Sequence, residues 1–330
     1  MSEHQVSLAR ALAYGQGAGL FWIPVWPEVA YVGPVTDVAT SIAVDTTLGD
    51  YRQGSSALIW ESDTKSVRVT ITSLTAGQIN FAATGIAFTA AYVCPLRYGR
   101  CPAGVTLKRG PNKLTEVYAE FRVDDNVDLG ASAGFPTLGG VDVLTDTTYY
   151  LGDYQESIIQ QIEVFDSETG KVSQTPLYDI VDQLFNLSMT ARGKSDLMRI
   201  RKWLHLRKGK LKPFWLINQA NDLTLVANVT AVATTIQVTS INYQTYYTTS
   251  AIRILRKNGV ATYHSVTSGT TSGGTDTLVL SAAAGTAANI VDVASISFMR
   301  KVCLETDRVE LRHEENGYTT VKAPVREVVN

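Results

Sequence analysis

Four histidines, three cysteines and scattered carboxylate pairs are the residues of this chain that could do chemistry. His4, His205, His264 and His313 lack ligand spacing, and no H-E-x-x-H run sets two of them on one helix face beside a glutamate base. No G-x-S-x-G turn exposes a nucleophilic serine between strand and helix. His264, within VATYHSV, reads as a surface or packing residue of a strand rather than a general base. Glu305 and Asp307 form a close pair, but glycosidic acid–base chemistry needs two carboxylates converging on one cleft, which proximity in sequence does not supply. Cys94, Cys101 and Cys303 are too few for a disulfide scaffold. Six residues separate Cys94 from Cys101, wider than a usual metal pair, and a structural metal takes about four ligands. The cysteines read as buried thiols; a metal or iron–sulfur site shared with a neighbouring chain is the alternative. No catalytic residue, cofactor or metal is therefore expected, and the chain reads as a non-enzyme.

Two loops imitate ligand sites. Asp124, Asn126 and Asp128 have the 1-3-5 spacing of a calcium loop, but Leu129 stands where glycine should be and Phe135 where the closing glutamate should be. A polar loop is the better reading. Gly15, Gly17 and Gly19 fit neither the dinucleotide fingerprint nor a P-loop, since no Lys-Ser/Thr follows. They read as helix termination and close backbone packing.

Binding chemistry has stronger candidates. Nine cations (Arg192, Lys194, Arg199, Arg201, Lys202, Arg207, Lys208, Lys210 and Lys212) fall within 21 residues, where Asp196 is the sole acid. On nucleic acid they would meet phosphates while Trp203 stacked on bases. A solvated helix face, or one facing acids of a partner subunit, is the preferred reading. Tyr243, Tyr246 and Tyr247, in INYQTYYTT, suit an interface. The candidate interface is thus Arg199, Arg201, Lys202, Arg207, Lys208 and Lys210 with these three tyrosines. The aromatic runs Phe21-Trp22…Trp26 and Phe214-Trp215 could stack on sugars, but their recurrence favours a shared core role.

That recurrence organises the elements that must position these residues. VTDVATSIAV at 35–44 returns as VTAVATTIQV at 229–238, identical at seven of ten positions. Phe21-Trp22-Ile23 precedes the first copy and Phe214-Trp215-Leu216 the second; Leu96-Arg97 is matched more loosely by Met299-Arg300. Both copies close on alternating runs, near 114–123 and 308–328. The expected organisation is two related β modules, 1–125 and 205–330, joined by a connecting segment, 126–204. In 114–123, Val117, Ala119, Phe121 and Val123 alternate with polar residues, which predicts a strand with one buried face. Val67, Val69 and Ile71 alternate likewise, as do Ile252 and Ile254. Many short strands with Gly-rich tips such as 269–274 predict sandwich or small-barrel modules, a mainly β fold. In the connecting segment, 157–165 reads as a strand, 166–170 as a turn, 178–187 as a short helix, and 196–208 as a helix capped by Ser195 and ended by Gly209.

Bulk properties agree with a folded, neutral assembly. Hydrophobic residues make up 45% and charged residues 18%, and the formal charge is −2, so no global field draws the chain to nucleic acid or an anionic membrane. No stretch approaches the roughly 20 apolar residues of a membrane span. Met1 to Arg10 lacks the pattern of a secretory signal, so synthesis and use from the host cytoplasm are expected.

Residues 198–226, MRIRKWLHLRKGKLKPFWLINQANDLTLV, resemble tail-tip proteins of long-tailed bacteriophages, in which a basic helix and a glycine step precede an aromatic pair and D-L-x-L. Arg207, Lys208, Gly209, Lys210, Phe214, Trp215, Asp222 and Leu223 carry the likeness, and YYLGD at 149–153 adds to it. The chain is similar to virion structural proteins and, more distantly, to distal tail proteins. The resemblance implies a virion protein of the tail tip or baseplate, assembled in the bacterial cytoplasm. It implies a homo-oligomeric ring, hexamer or trimer, joining the tail tube protein to the hub and other tail-tip proteins. Nucleic acid would be met only in passage through a lumen. A receptor- or carbohydrate-binding protein of the tail is the alternative function.

Overall fold

The computed structural model describes residues 19–102, 104–109, 115–129, 134–145, 156–159, 162–166, 172–176, 182–218, 220–247, 250–314 and 317–328, with single residues at 7, 168 and 170. The fold is mainly β, with sheets in sandwich and half-barrel arrangements. Its chain divides into two compact units, residues 1–129 with 192–198, and 130–191 with 199–330.

The first unit holds β1 (Phe21–Pro24), β2 (Ala30–Val35), β3 (Ser41–Ala43), β4 (Ser56–Ser62), β5 (Lys65–Thr70), β6 (Ser73–Thr75) and β7 (Gln78–Asn80). It continues with β8 (Phe88–Arg100), β9 (Val105–Arg109), β10 (Thr115–Ala119) and β11 (Arg122–Val123). The long strand β8 is the spine of a six-stranded sheet ordered β1-β8-β4-β5, to which β2 and β11 also pair. A three-stranded sheet, β3-β7-β6, supplies the other layer. Period-two alternation sends Ala57, Ile59, Val69, Ala91 and Val93 inward, where they meet Ile42 and Ile79. Each valine or isoleucine among them, fully buried, contributes roughly 1.5–3 kcal/mol. The opposite positions, Trp60, Arg68, Tyr92 and Tyr98, point away from that core.

The second unit begins with β12 (Thr137–Leu138), β13 (Val141–Leu144), β14 (Glu156–Ile159), β15 (Ile162–Asp166), β16 (Val172–Pro176) and β17 (Asp182–Arg192). Helix α1 (Lys194–Arg207), whose residues up to Met198 are counted with the first unit, follows, then β18 (Phe214–Ile217), β19 (Thr235–Thr239), the one-turn helix α2 (Tyr243–Tyr246) and β20 (Ser250–Arg256). Strands β21 (Ala261–Ser272), β22 (Thr275–Leu280), β23 (Val293–Leu304), β24 (Glu310–His313) and β25 (Tyr318–Glu327) complete it. The main path is β12-β13-β18-β23-β20-β21-β22-β19, with β25 pairing β23, β24 and β17, and β17 pairing β14. Ile236, Val238, Ile252, Ile254, Leu278 and Ile296 form the core within the curl of this sheet.

Several pairings of the first unit have parallels in the second. Phe21 faces Gly99 across β1 and β8, and Phe214 faces Val302 across β18 and β23. Ala30 faces Val93 in the first unit; Leu223 faces Ile296 in the second. Ile59 lies between Val67 and Val93, as Ile254 lies between Thr262 and Ile296. Ile42 opposes Ile79, and Ile236 opposes Leu278. At the far end of the spine, Gly99 faces Val123 as Val302 faces Glu327. The recurring VTxVAT segment forms the same turn twice: Ala39 N–H donates to Thr36 O and Ala233 N–H to Thr230 O, each at 3.1 Å. Gly85 N–H donates to Asp37 O and Gly285 N–H to Ala231 O, each at 2.8 Å. Val35, Ile42, Val229 and Ile236 are buried around these turns, while Val38 and Val232 stand at the exposed tips.

Several local expectations need correction. Residues 182–192 are strand β17 rather than the end of a helix over 178–187 (177–181 lie outside the described residues). Phe185, Leu187, Met189 and Ala191 are all buried at period two, and pairing with β14 and β25 settles the backbone. The run 114–123 is interrupted between β10 and β11, and Ala119, Phe121 and Val123 are exposed. Its alternation gives no buried face because β10 pairs, among the described residues, with β9 alone. The run 157–165 falls into two separate strands, β14 and β15, which join different partners. Helix α1 starts at Lys194, so Ser195 is inside it; Asp196 reaches back instead, accepting the Arg192 N–H at 3.2 Å. At the other end Lys208 and Gly209 both take positive φ, 49° and 64°, and a side chain at Gly209 would collide with Asp307.

Candidate assembly surfaces

The basic segment divides by position along α1. Leu197, Met198, Ile200 and Trp203 are buried, giving the helix an inward face at i, i+3 spacing. Trp203 is 1% exposed; its ring meets Phe214 edge-on at 4.9 Å and Phe135 at 6.4 Å, so it cannot stack on a base. Arg207 is likewise a structural residue. It is buried, donates to Pro213 O at 2.7 Å and forms an ion pair with Asp142. Arg199, Arg201 and Lys202 are half-buried, with Arg199 over the Phe135 ring at 5.5 Å. Lys208 and Lys210 are exposed just beyond the helix. Lys210 is tied down through its backbone, donating to Asp307 at 3.0 Å, while its ammonium lies 3.9 Å from Glu305. Glu305 also pairs with Arg326 at 3.2 Å. The Glu305–Asp307 pair therefore serves the end of the helix.

The tyrosine segment is also divided. Tyr243 is fully buried: its hydroxyl lies 2.8 Å from Ser250 Oγ and its ring stacks on Tyr247 at 5.2 Å, which stacks on Phe298 at 5.0 Å. Burial raises the Tyr243 hydroxyl above its ordinary pKa. Its surface role is corrected to a core role, because the one-turn helix α2 turns it under the loop. Tyr246 points to solvent and Tyr247 is partly exposed. Asp276 holds this loop from beneath. Fully buried, it accepts from Thr271 Oγ1 (2.6 Å), Ile241 N (2.7 Å), Ser240 Oγ (2.8 Å) and Tyr243 N (3.0 Å). Burial alone would raise its carboxyl, but these donors outweigh it and keep the group ionised more readily than an ordinary aspartate.

A surface that spacing did not single out lies on the outer face of the first unit's larger sheet. Trp26 meets Trp60 edge-on at 5.3 Å, Trp60 stacks on Tyr92 at 5.4 Å, and Tyr92 meets Tyr31 at 5.2 Å. Trp22 and Tyr98 pair at 5.4 Å on the same face, with the Arg68 guanidinium 4.6 Å above the indole. Trp22 is 43% exposed, Trp26 56%, Tyr31 63% and Tyr92 40%. The signal was available as alternation: 92 and 98 on β8 share a parity, as do 60 on β4 and 22 on β1 through their register. The expected core role fails for Trp22 and Trp26 but holds for Phe214, which is fully buried. Trp215 is partly buried and donates its indole N–H to Leu138 O at 3.1 Å.

Beside this face, Asp50 anchors the sheet to the preceding loop. It accepts from Arg97 Nε at 2.9 Å and from Arg52 at 2.6 and 2.7 Å, and its N–H donates to the buried Glu28 at 2.6 Å. Burial opposes the Asp50 charge, yet the Arg52 hydrogen bonds and Arg97 hold its carboxyl below the usual carboxylate range.

A second uncovered feature is the ribbon β15–β16, which pairs with no other described strand. All its described residues are exposed, including Ile162, Val164, Phe165 and Val172.

His264 is buried in β21, which lowers its pKa and keeps the ring neutral. Cys94 and Cys101 are buried free thiols, and burial pushes Cys94 up to about 12; Cys303 is partly buried. Among the described residues no group of three or more His, Cys, Asp or Glu could hold a metal ion, and no helix is long and apolar enough to cross a membrane. Asp124, the first residue of the loop with calcium-like spacing, pairs instead with Arg100 at 2.9 Å. Comparison with family models finds no match for this chain, and comparison with curated proteins finds no relative.

Proposed function

We propose that the chain is a structural, self-assembling virion protein built from two copies of one β module, and that it forms a ring at the tail tip of a long-tailed bacteriophage. The shared register of the two units supports the duplication. Chance would not be expected to set Ala30 against Val93 and Leu223 against Ile296 within otherwise parallel series of pairings. The observation that carries assembly is the uncovered apolar surface on both units, the aromatic face and the ribbon β15–β16, since large exposed apolar patches mark interaction sites. The place in the virion rests on the likeness of residues 198–226 to tail-tip proteins. On this reading the ring contacts the tail tube, the hub and other tail-tip proteins.

Light scattering of the purified chain, with electron microscopy of large species, tests the proposal. A closed ring of three or six copies is the expected result. The exposed indoles Trp22 and Trp26 favour one second reading, a carbohydrate- or receptor-binding tail protein. A chain that stays monomeric at high concentration and binds glycans through these rings would replace the ring with that reading.

A further inference from the structure

The ribbon β15–β16 raises a physical problem. A two-stranded hairpin is marginal in water unless something covers one face. Its register sets Ile162 opposite Pro176, Val164 opposite Gln174, and Asp166 opposite Val172, all on one side. Four of these six side chains are apolar and all are exposed. The turn end is acidic: Glu168 takes positive φ, 56°, and its N–H is held by Asp166 at 2.9 Å. Across 162–176 the ribbon carries three acids, Glu163, Asp166 and Glu168, and one base, Lys171.

The aromatic face of the first unit has the complementary character. It is apolar and uncovered, and its cation, Arg68, lies over Trp22. We propose that the apolar side of β15–β16 in one copy docks on the Trp22–Trp26–Tyr92 face of a second copy, with Asp166 meeting Arg68. This deepens the ring reading and rests on it. The contact is heterologous, because different surfaces meet, so repetition builds a ring where the rotation closes.

The test uses full-length chains. Val164→Cys in one tagged copy and Trp26→Cys in another are mixed and treated with a short bis-maleimide. An adduct containing both tags is expected, absent when either variant is treated alone. Val164→Glu should shift the assembled mass to that of the monomer at an unchanged melting temperature. Arg68→Asp should weaken association about tenfold or more, and Asp166→Arg in the partner should recover most of it. A ring that survives Val164→Glu and gives no adduct overturns the docking and leaves the ring reading standing. A wild-type chain that is monomeric at every concentration overturns both. An adduct at single-chain mass in the doubly substituted protein assigns the ribbon to its own chain and also overturns the proposal. So does glycan binding lost in Trp26→Ala while the ring persists without the ribbon.

Discussion

Two strands, β1 in the first unit and β18 in the second, begin with Phe-Trp and pair in the same register with β8 and β23, yet their surroundings are opposite. Strand β18 has a second neighbour, β13, in parallel pairing of Val143 with Trp215 and Leu144 with Leu216, and Trp203 covers Phe214. Strand β1 pairs with β8 alone among the described residues and leaves Trp22 in solvent. The same Phe-Trp start thus belongs to a covered strand in one unit and to an open one in the other. What differs is what the connecting segment lays over the strand. An uncovered edge of this kind invites pairing or docking, and Pro24, lacking an N–H, limits the risk of uncontrolled addition.

The largest test of this comparison is Trp203→Ala, which removes a buried indole between Phe135 and Phe214. It should cost about 3–5 kcal/mol in denaturant unfolding. The spine arginines come next. Arg97 is buried on Asp50, whereas Arg300, its counterpart, meets Glu327 at 3.2 Å with about a third of each side chain exposed. Arg97→Leu removes one of the two arginines on the buried Asp50 carboxylate and leaves Arg52, so it should cost about 1.5–3 kcal/mol; Arg300→Leu should cost clearly less in the same titration. Equal losses would break the comparison.

The loops after β3 and β19 form a third pair. Asp276→Ala strands four donors and should cost about 2–3 kcal/mol. Asp45 accepts only from Thr47 in an exposed turn, so Asp45→Ala should give the smaller drop in melting temperature. Acid titration sharpens the spine contrast further. The folded Asp50 carboxyl lies below its unfolded value of about 4, so its contribution is complete above that value and fades as pH falls through the folded one. In Asp50→Asn the melting temperature should lose part of its dependence on pH below about 4. The smallest effect is expected on the open face: Trp26→Ala should stay within about 1 kcal/mol of wild type in the monomer, despite its ring contacts.

The mainly β character of the chain was legible in the residues. Period-two alternation marked β5, because a strand with one buried face must alternate; β20 was marked by Ile252 and Ile254, although residues 251–254 are all buried. Gly209 was legible as a helix stop for a similar reason, since few other residues accept positive φ without strain. Residues 182–187 were not, because the longer run 178–187, YDIVDQLFNL, fits a short helix by local pattern, and only pairing with β14 and β25 made a strand of its described part.

The candidate surface shows the same limit. Residue type announced a basic segment and a tyrosine loop, but burial is a tertiary quantity. Arg207 and Tyr243 went inside because Asp142 and Ser250 were waiting there. The Trp26–Trp60–Tyr92–Tyr31 row comes from four separate elements and has no sequence signature as a cluster. Sequence alone determined the alternation that gave strands such as β5 two faces. Tertiary structure decided which of those faces would be covered, because covering depends on which distant segment arrives, and no local pattern carries that information.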